Sequence, residues 1–147
     1  MTVSNNTANG FQALFNNTGQ DNTAAGAFAL VSTTTGSGNT ATGLAALSTN
    51  TSGFNNTAIG TRALQSATTA NNNTATGSGA LLSDTTGANN TANGLNALFN
   101  NRTGASNTAI GASPWGLMPA AISPWGITTS ISAPLVWLAR HAPSASA

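Results

Sequence analysis

The chain has 147 residues, of which only 3% are charged: three Arg, two Asp, and neither Lys nor Glu. A net charge of +1 cannot attract a polyanion, so no nucleic-acid partner is expected. Acid–base enzymology lacks the titratable groups it needs, and without Cys neither a disulfide framework nor a thiolate metal site can form. No enzyme activity, catalytic residue, metal site or cofactor is therefore expected.

From residue 5 to 111 the chain is an internal repeat. The triplet Asn-Thr-Ala begins at Asn6, Asn22, Asn39, Asn56, Asn73, Asn90 and Asn107, at intervals of 16 and then 17 five times. A Gly follows four places after each Asn, and an Ala-Leu pair follows it, ending at Leu14, Leu30, Leu47, Leu64, Leu81 and Leu98. A second Gly closes most units, with Ala70 the exception. The residue missing from the first unit falls between Leu14 and Gly19, which marks that segment as a surface loop.

Asn, Thr and Gly are poor helix formers, and the unit is too short for a helical hairpin repeat. In Thr-Ala-x-Gly the alternation puts Ala and Gly on one face and Thr and x on the other. The expected fold is all-β: a parallel β-solenoid, or β-roll, of about seven rungs. Each rung has a strand at Thr-Ala-x-Gly and a second short strand or bend at Ala-Leu. Stacked about 4.8 Å apart, the rungs would span roughly 33 Å. Leu14, Leu30, Leu47, Leu64, Leu81 and Leu98 would form an apolar spine. Asn22, Asn39, Asn56, Asn73, Asn90 and Asn107, led by Asn6, would form a ladder of stacked amides. The strand Thr residues would form a hydroxyl column, and recurrent Gly would supply the left-handed or tight backbone positions where the chain turns a corner.

One Leu per rung contributes roughly 1.5–3 kcal/mol, against an ordering cost of about 1.5 kcal/mol per residue. Hence the Leu columns of several chains are expected to meet around a threefold axis, or solenoids to stack end to end. The implied partner is a second copy of the chain, in a homotrimer or a fibre.

The units Asn56-Thr57-Ala58-Ile59-Gly60 and Asn107-Thr108-Ala109-Ile110-Gly111 resemble the head repeats of trimeric autotransporter adhesins. Whole units are similar to the Asn-Thr-Ala-x-Gly arrays of large bacterial surface proteins and phage tail-fibre-like proteins. That resemblance implies a multimeric β-roll, extracellular or at the cell surface, that projects outward and binds glycans or host and matrix material. The expected function is a structural extracellular protein, a self-assembling surface fibre or adhesin head segment.

Residues 112–147 hold all five Pro and all three Trp. They read as an apolar cap, a docking segment or a truncated remainder, and the Pro residues argue against membrane insertion. At the other end, Met1 to Ser4 lead straight into a repeat, as expected of a chain whose leader was removed or of one piece of a longer product.

The alternative function is an ice- or carbohydrate-binding solenoid using exposed Thr and Asn columns. Thr40-Ala41-Thr42 and Thr74-Ala75-Thr76 have the required form, although other residues break the second column elsewhere. Sequons at Asn5, Asn16, Asn50, Asn55, Asn72, Asn89 and Asn101 would accept glycans if loop-exposed. Asp21 and Asp84 fall in loops of separate units, Arg62 and Arg102 are isolated loop charges, and His141 is a solvated terminal residue.

Overall fold

A computed structural model describes residues 4–112; the Pro- and Trp-rich tail from residue 113 onward, with His141, lies outside them. Each Asn-Thr-Ala triplet supplies one three-residue strand: β1 (Thr7–Asn9), β2 (Thr23–Ala25), β3 (Thr40–Thr42), β4 (Thr57–Ile59), β5 (Thr74–Thr76), β6 (Thr91–Asn93) and β7 (Thr108–Ile110). They pair in parallel and in sequence order as one seven-stranded sheet. Thr lies over Thr and Ala over Ala at every step, from Thr7↔Thr23 and Ala8↔Ala24 to Thr91↔Thr108 and Ala92↔Ala109. The fold is a β-solenoid of six full rungs, each running from one ladder Asn to the residue before the next, and the start of a seventh. No helix occurs among the described residues.

Small residues set the thickness of this coil. Ala24, Ala41, Ala58, Ala75 and Ala92 point inward from the strands and are fully buried, as the period-2 alternation requires. The Gly after each strand adopts φ between +125° and +141°. A Cβ on Gly60 would lie 2.6 Å from the carbonyl carbon and oxygen of Gly77, so a side chain there would push adjacent rungs apart. Beyond this Gly the chain reverses direction through tight turns, with Ala63 N–H donating to Gly60 O at 3.3 Å and Ala67 N–H to Leu64 O at 3.2 Å. The Ala-Leu pair is therefore a bend, not a second strand.

The left-handed corners fall mainly to residues other than Gly. Leu14, Leu30, Leu47, Leu64, Leu81 and Leu98 all have φ of 51–54°, a conformation that costs an L-residue roughly 1–2 kcal/mol. Two effects hold them there. The N–H of Leu30, Leu47, Leu64 and Leu81 each donates to the Ala carbonyl of the next rung at 2.9–3.1 Å, and these four side chains are fully buried. Leu14 and Leu98, near the ends, are partly buried against the same core. The expected Leu spine is thus enclosed by the rungs of its own chain. Two further positions recur in this conformation: two residues before each Leu stand Gln12, Phe28, Ala45, Arg62, Gly79 and Asn96, and before each ladder Asn stand Asn5, Asp21, Gly38, Asn55, Asn72, Asn89 and Ser106, the latter mostly residue types that tolerate it.

The shortened first rung shows what the loop can lose. Thr18 bonds to Thr34, and Gly19 stacks on Gly36, so the absent residue is the counterpart of Thr35, Ser52, Thr69, Thr86 and Thr103. All five of these are exposed.

The exceptional Ala70 also has a physical reason. Three residues after each Leu stands Asn17, Thr33, Asn50, Ala67, Asp84 or Asn101. In the third rung a Cβ on the closing Gly53 would lie 2.3 Å from Ala70 O of the next rung and 2.5 Å from Asn50 Oδ1, and in the fifth a Cβ on Gly87 would lie 2.5 Å from both Gly104 O and Asp84 Oδ1. The closing residue must lack a side chain where an amide or carboxyl occupies that space. In the fourth rung Ala67 vacates it, and the Ala70 methyl can stand there. Ala67→Asn alone should destabilise the fold by about 1–3 kcal/mol through overpacking. Adding Ala70→Gly should recover most of that loss. A denaturant-based double-mutant cycle is expected to give a coupling of at least about 1 kcal/mol; additive effects would refute the compensation.

Candidate functional site

The most highly organised group of polar side chains is the Asn ladder, which runs inside the coil. Asn22, Asn39, Asn56, Asn73 and Asn90 are buried, and Asn107 nearly so. Within each rung the amide Nδ2 spans the interior to the closing residue: Asn22 to Gly36 O at 2.8 Å, Asn39 to Gly53 O at 2.8 Å, Asn56 to Ala70 O at 2.7 Å, Asn73 to Gly87 O at 2.8 Å and Asn90 to Gly104 O at 2.7 Å. Between rungs, each Oδ1 accepts the backbone N–H of the next ladder Asn at 2.8–3.0 Å, from Asn6→Asn22 through Asn90→Asn107. Most rungs add a second bond, such as Asn56 Nδ2 to Asn39 Oδ1 at 3.0 Å. Asn56 thus uses both amide hydrogens and accepts two bonds. A fully satisfied amide chain of this kind is tolerated in an interior where an unpaired one is costly.

A second ladder, absent from the sequence-based expectation, runs through the loop. The hydroxyls of Thr34, Thr51, Thr68 and Thr85 donate to the backbone carbonyls of Thr51, Thr68, Thr85 and Arg102 at 2.9–3.2 Å, and Thr18 does the same to Thr34. The backbone N–H of each Thr donates to the same carbonyl, so each rung is stapled twice at this position. The regular spacing of these Thr residues was the available signal, masked by a chain in which Thr is abundant. The strand threonines behave differently: Thr23, Thr40, Thr57, Thr74 and Thr91 point outward and make no side-chain hydrogen bond within the described residues.

The sequons separate into two groups. Asn5, Asn55, Asn72 and Asn89 are exposed at left-handed corners; Asn16 is exposed as well, with Nδ2 bonded to Val31 O at 3.0 Å. Asn50 and Asn101 face inward. Their Nδ2 groups donate to Gly53 O and Gly104 O at 3.1 Å, while each Oδ1 accepts the N–H of that same Gly. Asn101 is only 5% exposed, so its amide nitrogen is inaccessible in the folded rung.

Asp84 shares the inward column with Asn50 and Asn101, and is fully buried rather than in an open loop. Its Oδ1 accepts Gly87 N–H at 2.7 Å, and its Oδ2 has no hydrogen-bond partner. Arg62, Arg102 and Asp21 are exposed. Among the described residues no three His, Cys, Asp or Glu residues cluster as metal ligands, and no helix is long and apolar enough to cross a membrane. The large exposed apolar side chains fall in several columns: Phe11, Leu44 and Leu95 follow the strand Gly, Phe28 stands two places after it, Phe15 follows Leu14, Phe54 follows the closing Gly53, and Ile59 and Ile110 end strands.

Asn56→Ala removes four hydrogen bonds and strands Ala70 O and Asn73 N–H in the interior. It should cost on the order of 2–5 kcal/mol, whereas Ser52→Ala on the exposed loop should stay within about 0.5 kcal/mol. Urea denaturation of the two variants checks this; equal midpoints would remove the ladder's role. In comparison with known proteins, no family model matches the chain, and neither a curated protein nor a solved structure is significantly similar to it.

Proposed function

We propose that this chain is a structural segment of an extracellular surface fibre or adhesin head, and that its partner is a further copy of itself added end to end. The reading rests on how rungs complete one another. Ala24, Ala41 and Leu30 are fully buried because a rung lies on each side of them. In the first rung the equivalent Ala8 and Gly10 are exposed and Leu14 is only partly buried.

The backbone of that rung is equally incomplete. Gly26 N–H donates to Asn9 O at 2.7 Å, Phe28 N–H to Phe11 O at 2.8 Å and Asn22 N–H to Asn6 Oδ1 at 2.9 Å. The corresponding donors Gly10, Gln12 and Asn6 have no rung above them among the described residues. Any rung of the same kind laid on this edge, from a second copy or from adjoining chain, would meet matching backbone groups and an apolar interior. Lateral association is supported less well, because the Leu spine is internal and the exposed Phe and Leu residues form no continuous stripe. Around the sides, neutral Asn and Thr columns offer hydrogen-bonding groups to glycans or matrix, and Asn55, Asn72 and Asn89 give sequons at the regular 17-residue interval.

Sedimentation velocity over a wide concentration range, with negative-stain imaging of the same samples, tests the reading. The expected result is a concentration-dependent series of rods growing in multiples of one solenoid length, roughly 33 Å. A monodisperse monomer at every concentration would overturn it.

A further inference from the structure

We propose that the fifth rung is a proton-operated weak link: in acid Asp84 sits in the solenoid as the neutral carboxyl, and the rod loosens at this rung when that carboxyl ionises. The inference concerns the stability of a single chain and is independent of the assembly reading.

The argument begins with position. Five other residues occupy the column of Asp84, namely Asn17, Thr33, Asn50, Ala67 and Asn101, and all are neutral. Asn50 and Asn101 each use one oxygen to accept the closing Gly N–H and an NH2 to donate to that Gly's carbonyl. Asp84 Oδ1 accepts Gly87 N–H in the same way, but Oδ2 stands where the others carry the donor, and it has no partner. A protonated carboxyl has an O–H that can take the amide's part; a carboxylate has only acceptors. Ionisation would therefore place an unpaired negative oxygen inside the coil.

No cation relieves that charge. Among the described residues the only cations are Arg62 and Arg102, both exposed. Arg102 lies one rung on, and meets this region through its backbone carbonyl, which accepts from Thr85. The other carboxylate, Asp21, is exposed in the first rung and accepts from Asn5. Above and below Asp84 lie Ala67 and Asn101, neither of them titratable.

Burial accordingly raises the Asp84 carboxyl from an ordinary 3.8 to about 6, offset in part by the Gly87 N–H, the Asn90 side chain and the Thr85 N–H. Because the folded chain holds the proton more tightly than the unfolded chain, the extra stability is complete below pH 3.8. It declines as pH rises and is lost once pH passes about 6. A shift of that size corresponds to a change on the order of 100-fold in the unfolding equilibrium. In a stack whose rungs contact only their neighbours, the loss falls on the fifth rung and its two interfaces.

The chain contains two Asp and no Glu, so carboxyl 13C shifts in Asp-labelled protein give two resonances that can be followed singly. One should titrate near 6 and disappear in Asp84→Asn; an Asp84 resonance that titrates at the ordinary 3.8 would overturn the proposal. Denaturation measured from pH 4 to pH 8 supplies the second readout. The wild-type midpoint should fall across that range. Asp84→Asn, which copies the residue of the third and sixth rungs, should be nearly flat and more stable than wild type at pH 7. Asp21→Asn and His141→Ala should retain the wild-type slope. A slope that survives Asp84→Asn would equally overturn the proposal.

Discussion

Each of the six full rungs described is closed by one inward-facing amide. The ladder Asn reaches across its own coil to the closing carbonyl and, at the same time, accepts the N–H of the rung that follows. A coil lined by Ala, with one Leu per turn, is too thin to be stabilised by a conventional apolar core. Its integrity depends on polar groups being satisfied within it, and satisfaction requires equivalent residues at equivalent heights. The 17-residue period is thus a hydrogen-bonding requirement before it is a packing one.

Other features follow from this geometry. Rungs close enough for amides to bond leave no room for a Cβ on the Gly after each strand, hence the Gly column from Gly10 to Gly94. The bend after that Gly needs left-handed backbone, and Leu supplies it because burial and an inter-rung bond offset the strain. The inward column then has to satisfy or vacate the space beside the closing residue. Asn does the first, the Ala67 and Ala70 pair does the second, and Asp84 does so only in part.

Much of this was legible in the residues. Exact recurrence of Asn-Thr-Ala and of Leu marked the rungs, the ladder and the spine, since solenoid stacking turns sequence period into spatial column. Four features were not legible. Leu at positive φ contradicts residue propensity, because tertiary contacts override local preference at that corner. The Thr18-to-Thr85 ladder lay in the variable segment, where a column of Thr does not stand out among other Thr residues. Asp84 looked like a loop charge because its inward direction depends on a bend that the sequence does not specify. The inward turn of Asn101, a nominal glycan acceptor, was hidden for the same reason.

The side-chain amide protons of Asn39, Asn56 and Asn73 offer the sharpest view of whether the ladder exists in solution. In a uniformly 15N-labelled sample their NH2 groups should exchange with solvent far more slowly than those of the exposed Asn55 and Asn72, which lie one residue before the ladder positions. If the two sets exchange at the same rate, the interior amides are not bonded from rung to rung, and the coil is held together by something else.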